Sequence, residues 1–329
     1  MKLAFTSCFS AQSFKKQPVW DQIGEAAPDE LLLLGDAAYY DADGSDMGSV
    51  KAMGANDFAG HAYGRLRDQL DQPQFANLVS RATLRTHAIW DDHDFLWNGA
   101  CGAQIEGQPS FRHLIPPTRA AFQAFRDALK NRLPASFPPH PPSWRPDVKE
   151  PGYSTVDLGS KTLLHLTDGR SYKSRLGKNA LLGAAQMQSL EDSLRAAHPD
   201  TVHLVASGLV FEARHGENWM DCASEHKKLL ALAAEFRILM LSGDIHENRI
   251  APPYAKPGAP PGGRCMFEIT SSGAALRTGV TLGALQCNWG LLDIDSTTIR
   301  VQLSQLGMAP RTRTIDRQSW TMLPPPESP

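Results

Sequence analysis

Two apolar segments of this chain each run into a Gly-Asp pair. Four leucines at 31–34 lead through a glycine to Asp36, and a second apolar run at 238–241 leads through Ser-Gly to Asp244. Short apolar runs of this length are typical of buried strands, and open α/β sheets bind ligands beyond the carboxyl ends of their strands. We therefore expect a layered α/β domain in which separate strands deliver carboxylates to one place.

A third apolar run ends in a group of ionisable residues. Residues 88–90 are followed by Asp91, Asp92, His93 and Asp94. Carboxylates gathered without partners would repel one another and lose solvation, and bound cations relieve both costs. We therefore predict a site for more than one metal ion. An acidic helix N-terminus, which the helix dipole favours, is the alternative for this segment alone.

Other ligand types occur near the ends of the predicted strands. Tyr39 follows Asp36 by three positions, and a phenolate suits a trivalent ion such as Fe³⁺; Cys8 ends the first predicted strand, where a thiolate would bind iron strongly. Asp244 and His246 alternate along what we expect to be an extended segment, so both side chains would point the same way. A core tyrosine, a buried thiol and an Asp–His hydrogen bond are the structural alternatives.

An arginine follows another predicted strand. Arg170 lies in an Asp-Gly-Arg sequence directly after the apolar run at 163–167. Its planar donors match phosphate oxygens, although an arginine at a strand end is often a salt-bridged surface group. An anionic substrate would need this side chain far more than a neutral one would, which separates a phosphoesterase from other metallohydrolases.

Composition argues against several other classes of protein. The 329 residues carry a net charge of −2 without a long run of one sign, so nothing indicates a nucleic-acid footprint. No apolar stretch approaches the roughly 18 residues of a membrane helix. The first ten residues hold too few apolar side chains for a signal peptide, so we expect a cytoplasmic protein. Five cysteines without CxxC spacing favour reduced thiols.

Periodicity and turn residues predict alternating strands and helices with inserted hairpins. Strands are expected at 2–7, 30–35, 86–91, 153–158, 162–167, 202–207, 237–243, 265–271, 289–304 and 311–321, helices at 60–80, 117–131, 182–197 and 223–235, and loops at 41–56, 94–116, 134–152 and 251–263. This order favours two sheets packed face to face. We place a single domain at residues 1–321 and a Pro-rich tail at 322–329.

Six short segments, taken in order, resemble a known family. They are Ser7-Cys8, Leu34-Gly35-Asp36 with Tyr39, Trp90-Asp91-Asp92-His93-Asp94, Asp168-Gly169-Arg170-Ser171-Tyr172, Leu182-Gly183 with Gln186, and Ser242-Gly243-Asp244-Ile245-His246. The set is similar to that of the PhoD-like alkaline phosphatases, of the calcineurin-like metallophosphoesterase superfamily, and it spans about residues 3–305. The resemblance implies a four-layer α/β/β/α sandwich with its site at the strand ends.

The resemblance also implies a role for each matching residue. Asp36 would bridge two metal ions, and the other ligands of an iron-like Fe³⁺ would be Cys8, Tyr39 and His246. The ligands of a divalent ion, Ca²⁺ or Mn²⁺, would be Asp92, Asp244 and Asn98. Arg170 would grip the phosphoryl group and Asp91 would also contact the substrate, although Asp91 could exchange roles with Asp92. His93 would be an acid or electrostatic helper.

Together these features predict a metal-dependent phosphoesterase that hydrolyses small phosphate mono- or diesters by attack of a metal-activated hydroxide. The alternative is a catalytically silent protein that binds metal and phosphate on the same fold. The segment Trp219–His226 departs from the family's pattern, so the family's substrate is not carried over. The oligomeric state does not follow from the sequence.

Overall fold

A computed structural model describes residues 1–41, 47–132, 137, 152–175, 179–258, 260, 262–276 and 286–323. The strands are β1 (Lys2–Thr6), β2 (Glu30–Leu34), β3 (Arg85–Ile89), β4 (Ser154–Gly159), β5 (Thr162–Leu166), β6 (Val202–Ser207), β7 (Arg237–Ser242), β8 (Asn248–Ile250), β9 (Phe267–Ser271), β10 (Trp289–Ile294), β11 (Thr298–Ser304), β12 (Arg311–Asp316) and β13 (Thr321–Leu323). The helices are α1 (Val19–Glu25), α2 (Met47–Ala52), α3 (Ala55–Leu70), α4 (Pro73–Val79), α5 (Asp92–Phe95), α6 (Gly102–Glu106), α7 (Ile115–Lys130), α8 (Gly183–Ala196) and α9 (Ala223–Ala233), with 3₁₀ helices at Arg112–Leu114 and Trp219–Cys222.

Two sheets form the centre of the fold. One has the order β13-β12-β11-β10-β1-β2-β3, and the other has the order β4-β5-β6-β7-β9-β8. Strands β1, β2 and β3 run parallel to one another, and so do β5, β6, β7 and β9. The carboxyl ends of the parallel strands therefore meet at one edge of each sheet, where α/β folds place their ligands.

Alternate residues of the central strands face opposite layers, because side chains of a strand alternate between its two faces. In β2, Leu32 and Leu34 belong to the apolar cluster between the sheets, whereas Leu31 and Leu33 pack with side chains of α1, α3, α4 and α7. Helices α8 and α9 cover the outer face of the second sheet. The layers are thus helix, sheet, sheet and helix, and the predicted α/β/β/α sandwich is confirmed.

The helical prediction over 60–80 is wrong in one respect, because two helices occupy this region. Helix α3 ends at Leu70 and α4 begins at Pro73. Proline is suited to the first turn of a helix and unsuited to its interior. The side chain of Gln72 accepts a hydrogen bond from the backbone N–H of Phe75 at 2.7 Å, which caps the new helix.

Two predicted loops contain helices, and one strand was not predicted. Helix α2 lies within 41–56 and α6 within 94–116, and α5 begins at Asp92 and ends inside the second loop; each is six residues or shorter, too short for helical periodicity to show. Strand β8 has only three residues. Strand β13 includes the first two residues of the predicted tail, whose remainder lies outside the described residues, as does most of the predicted loop at 134–152.

All five cysteines are free thiols, as predicted. Of the helices in the described part of the chain, none combines the length and the apolar character needed to cross a membrane.

A buried pair of histidines joins β5 to β6. His165 Nε2 lies 3.0 Å from His203 Nδ1, and Thr155 Oγ1 lies 3.0 Å from the other ring nitrogen of His165. Burial lowers the pKa of His165 to about 3, with a further contribution from the neighbouring ring. Burial also lowers the pKa of His203 to about 4. Both rings are therefore neutral at pH 7.

This pair should make the protein sensitive to acid. Below about pH 6.5 the unfolded chain takes up protons that the folded pair excludes, so stability falls as the pH falls. We expect a loss of about 2 kcal/mol per ring between pH 7 and pH 5. Urea unfolding at both pH values should show a smaller loss for His203→Gln than for wild type, with His198→Gln, at an exposed position, as control. Equal losses in all three proteins would contradict this role.

Candidate metal centre

Four candidate ligands occupy the same position relative to their strands. Cys8, Asp36, Asp91 and Asp244 each lie two residues beyond the last residue of β1, β2, β3 and β7, respectively. Because these strands end at the same edge of the two packed sheets, their terminal side chains converge. The site is therefore a direct consequence of parallel strands and of the residue types placed immediately after each strand.

Strained backbone marks several of these positions. The φ angles are 58° at Cys8, 55° at Asp36, 68° at Asp244 and 54° at His246. Non-glycine residues rarely adopt this left-handed region, and such strain, roughly 1–3 kcal/mol each, concentrates at functional sites. The extended conformation predicted for 244–246 is wrong: the chain bends sharply there, and Ile245 N–H donates to the carbonyl of the residue two positions earlier at 2.9 Å.

Two glycines allow the strand ends to approach closely. Gly35 has a φ of 100°, and a Cβ placed on it would lie 2.6 Å from Asp91 Cβ. A Cβ on Gly243 would lie 2.7 Å from Ser7 Oγ. Both distances are shorter than carbon and oxygen atoms tolerate, so the Gly-Asp pairs seen in the sequence are required for the convergence of the carboxylates.

Three overlapping groups of side chains could hold metal ions. Within each group all ligand atoms lie within 4.8 Å of one another, and the groups are Cys8–Asp36–His246, Asp36–Asp92–His93 and Asp91–Asp92–Asp244. Asp36 belongs to two groups and Asp92 also belongs to two. The shared carboxylates join the three groups into one continuous centre.

In the first group, one carboxylate oxygen of Asp36 contacts both the thiol of Cys8 and the phenol of Tyr39. Asp36 Oδ2 lies 3.4 Å from Cys8 Sγ and accepts a hydrogen bond from Tyr39 OH at 3.0 Å. Ser272 Oγ donates to the same sulfur at 3.2 Å. Burial, together with the charge of Asp36, raises the pKa of both the Cys8 thiol and the Tyr39 phenol. Without a cation both groups therefore stay protonated, and a bound metal ion would favour their anionic forms.

His93 is held by a carboxylate that the sequence did not indicate. Its Nδ1 lies 2.6 Å from Asp41 Oδ1, and its ring packs at 4.3 Å from that of Tyr39. Burial alone would lower the pKa of His93, but Asp36, Asp41 and Asp92 outweigh it and raise the pKa to about 10. The ring is thus an imidazolium at neutral pH. Asp41 lies in no recognisable motif, and only its place at the start of an acidic segment could have suggested it.

Asn98 is placed differently from the other predicted ligands. Its backbone N–H donates to Asp41 Oδ2 at 2.8 Å, and the residue is exposed. Its role as a ligand therefore stays a prediction.

Arg170 is fully buried behind two of the aspartates. Its Nε donates to Asp91 Oδ1 at 2.5 Å, its Nη1 to Glu217 Oε2 at 2.7 Å, and its Nη2 lies 3.7 Å from Asp92 Oδ1. Burial raises the pKa of Asp91 to about 6 even though the arginine opposes it. Burial also acts to raise the pKa of Asp92, but Arg170, His93 and the Gly99 N–H, which donates at 2.6 Å, lower it overall. Asp92 is thus the more readily ionised of the two neighbours.

Asp94 has a structural role in the same segment. Its Oδ1 accepts the backbone N–H of Asp91 at 2.6 Å as part of a capping box for α5, and its Oδ2 accepts the N–H of Ala37 at 2.9 Å. Burial raises its pKa to about 8. The two interpretations of this segment, an acidic helix N-terminus and a metal site, therefore both apply. Asp94 caps the helix, and Asp92 faces the metal centre.

Electrostatics at the centre favour cations. Burial, followed by repulsion from the neighbouring carboxylates, raises the pKa of Asp244 well above its usual range. Burial raises the pKa of Asp36 too, despite the opposing charge of His93. Burial and His93 lower the pKa of His246, which keeps that ring neutral, the form that binds metals. The donors present, carboxylate, imidazole, thiol and phenol, fit metal ions.

The two packed sheets and the ligands that converge at their edge define an α/β/β/α protein with a candidate metal centre. The sequence model of the family described as PhoD-like phosphatase matches residues 3–279. The chain therefore belongs to the PhoD-like phosphatase family, and it is a hydrolase that acts on phosphoric esters.

One solved structure supports this fold. The structure of PhoD has a TM-score of 0.66 and 15% sequence identity, and the match covers 98% of this chain and 71% of that chain. Vps29 from Entamoeba histolytica complexed with Zn²⁺ has a TM-score of 0.34 at 9% identity, covering 97% and 100% of the two chains. Yfce, a phosphoesterase from E. coli, has a TM-score of 0.30 at 12% identity, covering 98% and 97%. The last two scores are too low to support any argument. No curated protein matches the chain.

Proposed function

We propose that the protein hydrolyses a small phosphate mono- or diester with the help of at least two metal ions, held by the members of the three ligand groups other than His93. The observation that carries this proposal is the sharing of Asp36 and Asp92 between groups, which brings the candidate ion positions close together. Bound cations would lower the pKa of a water molecule and offset charge on the phosphoryl oxygens. The alternative is a catalytically silent protein that binds metal and phosphate at the same site.

The donor sets favour two different ions. Cys8, Tyr39 and His246 offer sulfur, phenolate and nitrogen beside Asp36, a combination that suits Fe³⁺. The remaining donors are the carboxylates of Asp92 and Asp244, with Asn98 nearby in sequence, and hard oxygen donors suit Ca²⁺ or Mn²⁺. The proximity of Cys8 Sγ and Tyr39 OH to the same oxygen of Asp36 supports the first assignment.

Iron bound by Tyr39 should colour the protein. We expect a tyrosinate-to-iron absorption band in the visible spectrum of the iron-loaded protein, and we expect Tyr39→Phe to lose the band. Tyr63→Phe is the matched control, because that phenol is also buried but donates to the carbonyl of Ala120. An iron-loaded protein without the band, or a band that survives in Tyr39→Phe, would remove Tyr39 from the ligand set.

His93 is the group that we propose to protonate the leaving oxygen. Its Nδ1 lies 2.6 Å from Asp41 Oδ1, and this carboxylate, which belongs to none of the three ligand groups, favours the protonated ring. Asp41 orients the ring through Nδ1, which leaves Nε2 as the nitrogen that can face a substrate. Asp41 is therefore a positioning residue in this proposal.

Arg170 is proposed to stabilise the phosphoryl group. Its Nη2 is buried and has no hydrogen-bond partner among the described residues, while the other two nitrogens hold Asp91 and Glu217. This nitrogen, beside Asp92, is the donor left for a phosphoryl oxygen. Because the guanidinium also holds Asp91, its effect on substrate is partly exerted through that carboxylate.

The test is hydrolysis of chromogenic phosphate mono- and diesters by the metal-loaded protein. We expect turnover of at least one ester, and we expect Arg170→Lys to lower kcat/KM by about 10²–10³, the range for loss of one electrostatic stabiliser. A neutral carboxylic ester should not show this dependence. Binding of metal and phosphate without turnover would favour a catalytically silent binding protein. Equal losses of kcat/KM on charged and neutral esters in Arg170→Lys would favour another kind of metallohydrolase.

A further inference from the structure

Three cationic side chains converge on one carboxylate beside the metal centre. Glu217 Oε2 lies 2.7 Å from Arg170 Nη1 and 2.6 Å from Lys173 Nζ, and Glu217 Oε1 accepts a hydrogen bond from Arg175. Glu217, Lys173 and Arg175 lie outside the six sequence segments that indicate the function. Arg170 is also paired with Asp91 and Asp92, whereas among the described ion pairs Lys173 and Arg175 contact Glu217 alone, so two cations share one carboxylate here.

Burial makes the arrangement costly without an anion. The side chain of Lys173 is 2% exposed and that of Arg170 is 0% exposed, whereas Glu217 is 15% exposed and Arg175 is 49% exposed. A buried charge is expensive unless it is paired. Within the described ion pairs, Glu217 is the one carboxylate that contacts Lys173. The site therefore requires an anion at this position, supplied either by the protein or by a ligand.

The Glu217 side chain is partly exposed and lies at the end of an exposed segment. Glu217 follows exposed residues 214–216, and Gly216 has a φ of 80° with no atom within 4 Å of where a Cβ would lie. The next residue, Asn218, anchors the backbone, because its Nδ2 donates to the Gly216 carbonyl at 3.2 Å and its Oδ1 accepts the N–H of Met220 at 3.0 Å. Rotation of the Glu217 side chain alone would free the cations and leave the following 3₁₀ helix in place.

Arg170 connects this corner to the metal centre. One edge of its guanidinium holds Asp91 and another holds Glu217. An anionic group in place of the Glu217 carboxylate would thus lie one guanidinium group away from the carboxylates that surround the candidate ions. The distance between the metal centre and the Glu217 position is therefore suited to a small substrate that carries a second charged group.

We propose that Lys173 and Arg175 form a subsite for a second anionic group of the substrate, which Glu217 occupies until the substrate displaces it. The proposal rests on the proposed function and narrows its substrate class to phosphate esters with a further phosphate or carboxylate close to the scissile phosphate. Glu217 is a competitor for the subsite, and Arg175 is a specificity-determining residue at its outer side.

Paired ligands test the proposal through competitive inhibition of chromogenic ester hydrolysis, so none of them has to be a substrate. AMP and ADP differ by one phosphate, and glycerol 3-phosphate and 3-phosphoglycerate differ by one carboxylate. We expect Arg175→Ala to weaken the binding of ADP or 3-phosphoglycerate about tenfold, as for loss of one charge-assisted hydrogen bond. The same variant should weaken the binding of AMP and glycerol 3-phosphate by less than about twofold. Arg195→Ala, also 49% exposed but on α8, is the matched control.

The variant Glu217→Gln should have the opposite effect. With the competing charge removed, the ligands with two anionic groups should bind several-fold more tightly, and they should raise Tm more than they do for wild type. A purely structural Glu217 would not produce tighter binding. An effect on only the ADP pair or only the 3-phosphoglycerate pair identifies the anionic group that the subsite selects.

Two outcomes would overturn the subsite while leaving the proposed function intact. They are equal weakening of both members of each pair by Arg175→Ala, and unchanged or weaker binding of the doubly anionic ligands to Glu217→Gln. Absence of any ester hydrolysis would instead count against the proposed function. In that case the same Tm shifts, measured on the metal-loaded protein with AMP and ADP, would still decide whether the subsite exists.

Discussion

Asp36→Asn is expected to lower kcat for phosphate ester hydrolysis by at least about 10³, because loss of one electrostatic stabiliser alone costs about 10²–10³. Asp36 belongs to two of the three ligand groups, so the substitution weakens both candidate ion positions at once. The rate should be measured on a chromogenic monoester at saturating metal concentration. Asp192→Asn, at an exposed position on α8, is the matched control and should retain wild-type turnover.

The same variant should separate catalysis from folding. Burial and the neighbouring carboxylates raise the pKa of Asp36, so its charged form destabilises the metal-free protein at neutral pH. Metal-free Asp36→Asn should therefore have a Tm equal to or above that of wild type, whereas added metal should stabilise wild type much more. Wild-type turnover in the purified variant would refute the metal-bridging role, and a lower Tm without metal would show that Asp36 mainly supports the fold.

Metal removal should abolish turnover and give the protein a new dependence on pH. In the metal-free centre, burial raises the pKa of Asp91 to about 6 and that of Asp94 to about 8, and it raises those of Asp36 and Asp244 as well. An unfolded chain has aspartate pKa values of about 3.9. Between these values the folded state binds more protons than the unfolded state, so its stability falls as the pH rises.

We expect the metal-free protein to lose at least about 2 kcal/mol of stability between pH 5 and pH 8 because of these carboxylates. The buried histidine pair acts in the opposite direction below about pH 6.5, so the comparison should also be made in His203→Gln. Urea unfolding of metal-free and metal-loaded protein across this range measures the difference. Bound cations keep Asp36, Asp91 and Asp244 ionised in the folded state, so the loss should then be smaller, and the part that remains comes from Asp94, which caps α5. Parallel pH profiles with and without metal would contradict this electrostatic role of the carboxylates.

The fold and the ends of its parallel strands were predictable because they depend on local patterns. Runs such as 31–34 are buried strands whatever their neighbours are, and the residues that come after them must lie at the sheet edge. The close approach of Gly35 to Asp91 explains why a glycine precedes the aspartate, although the sequence alone does not identify its neighbour.

The rest of the centre depends on contacts between distant segments. Asp41 binds His93 and Glu217 binds Arg170 across 52 and 47 positions of sequence, and neither carboxylate lies in a motif. The left-handed backbone at His246 could not be predicted either, because non-glycine residues avoid it unless the surrounding structure imposes it. These residues follow from packing and not from local propensity.

The most direct test of the metal centre is elemental analysis of the wild-type protein and of Asp36→Asn after exposure to iron together with calcium or manganese and removal of free ions. We predict about two tightly held ions in each wild-type chain, in line with the two-metal arrangement of phosphatase sites, and a clear loss of bound metal in the variant. Wild-type protein that retains no stoichiometric metal, or a variant that retains as much as wild type, would contradict a shared metal centre built on Asp36.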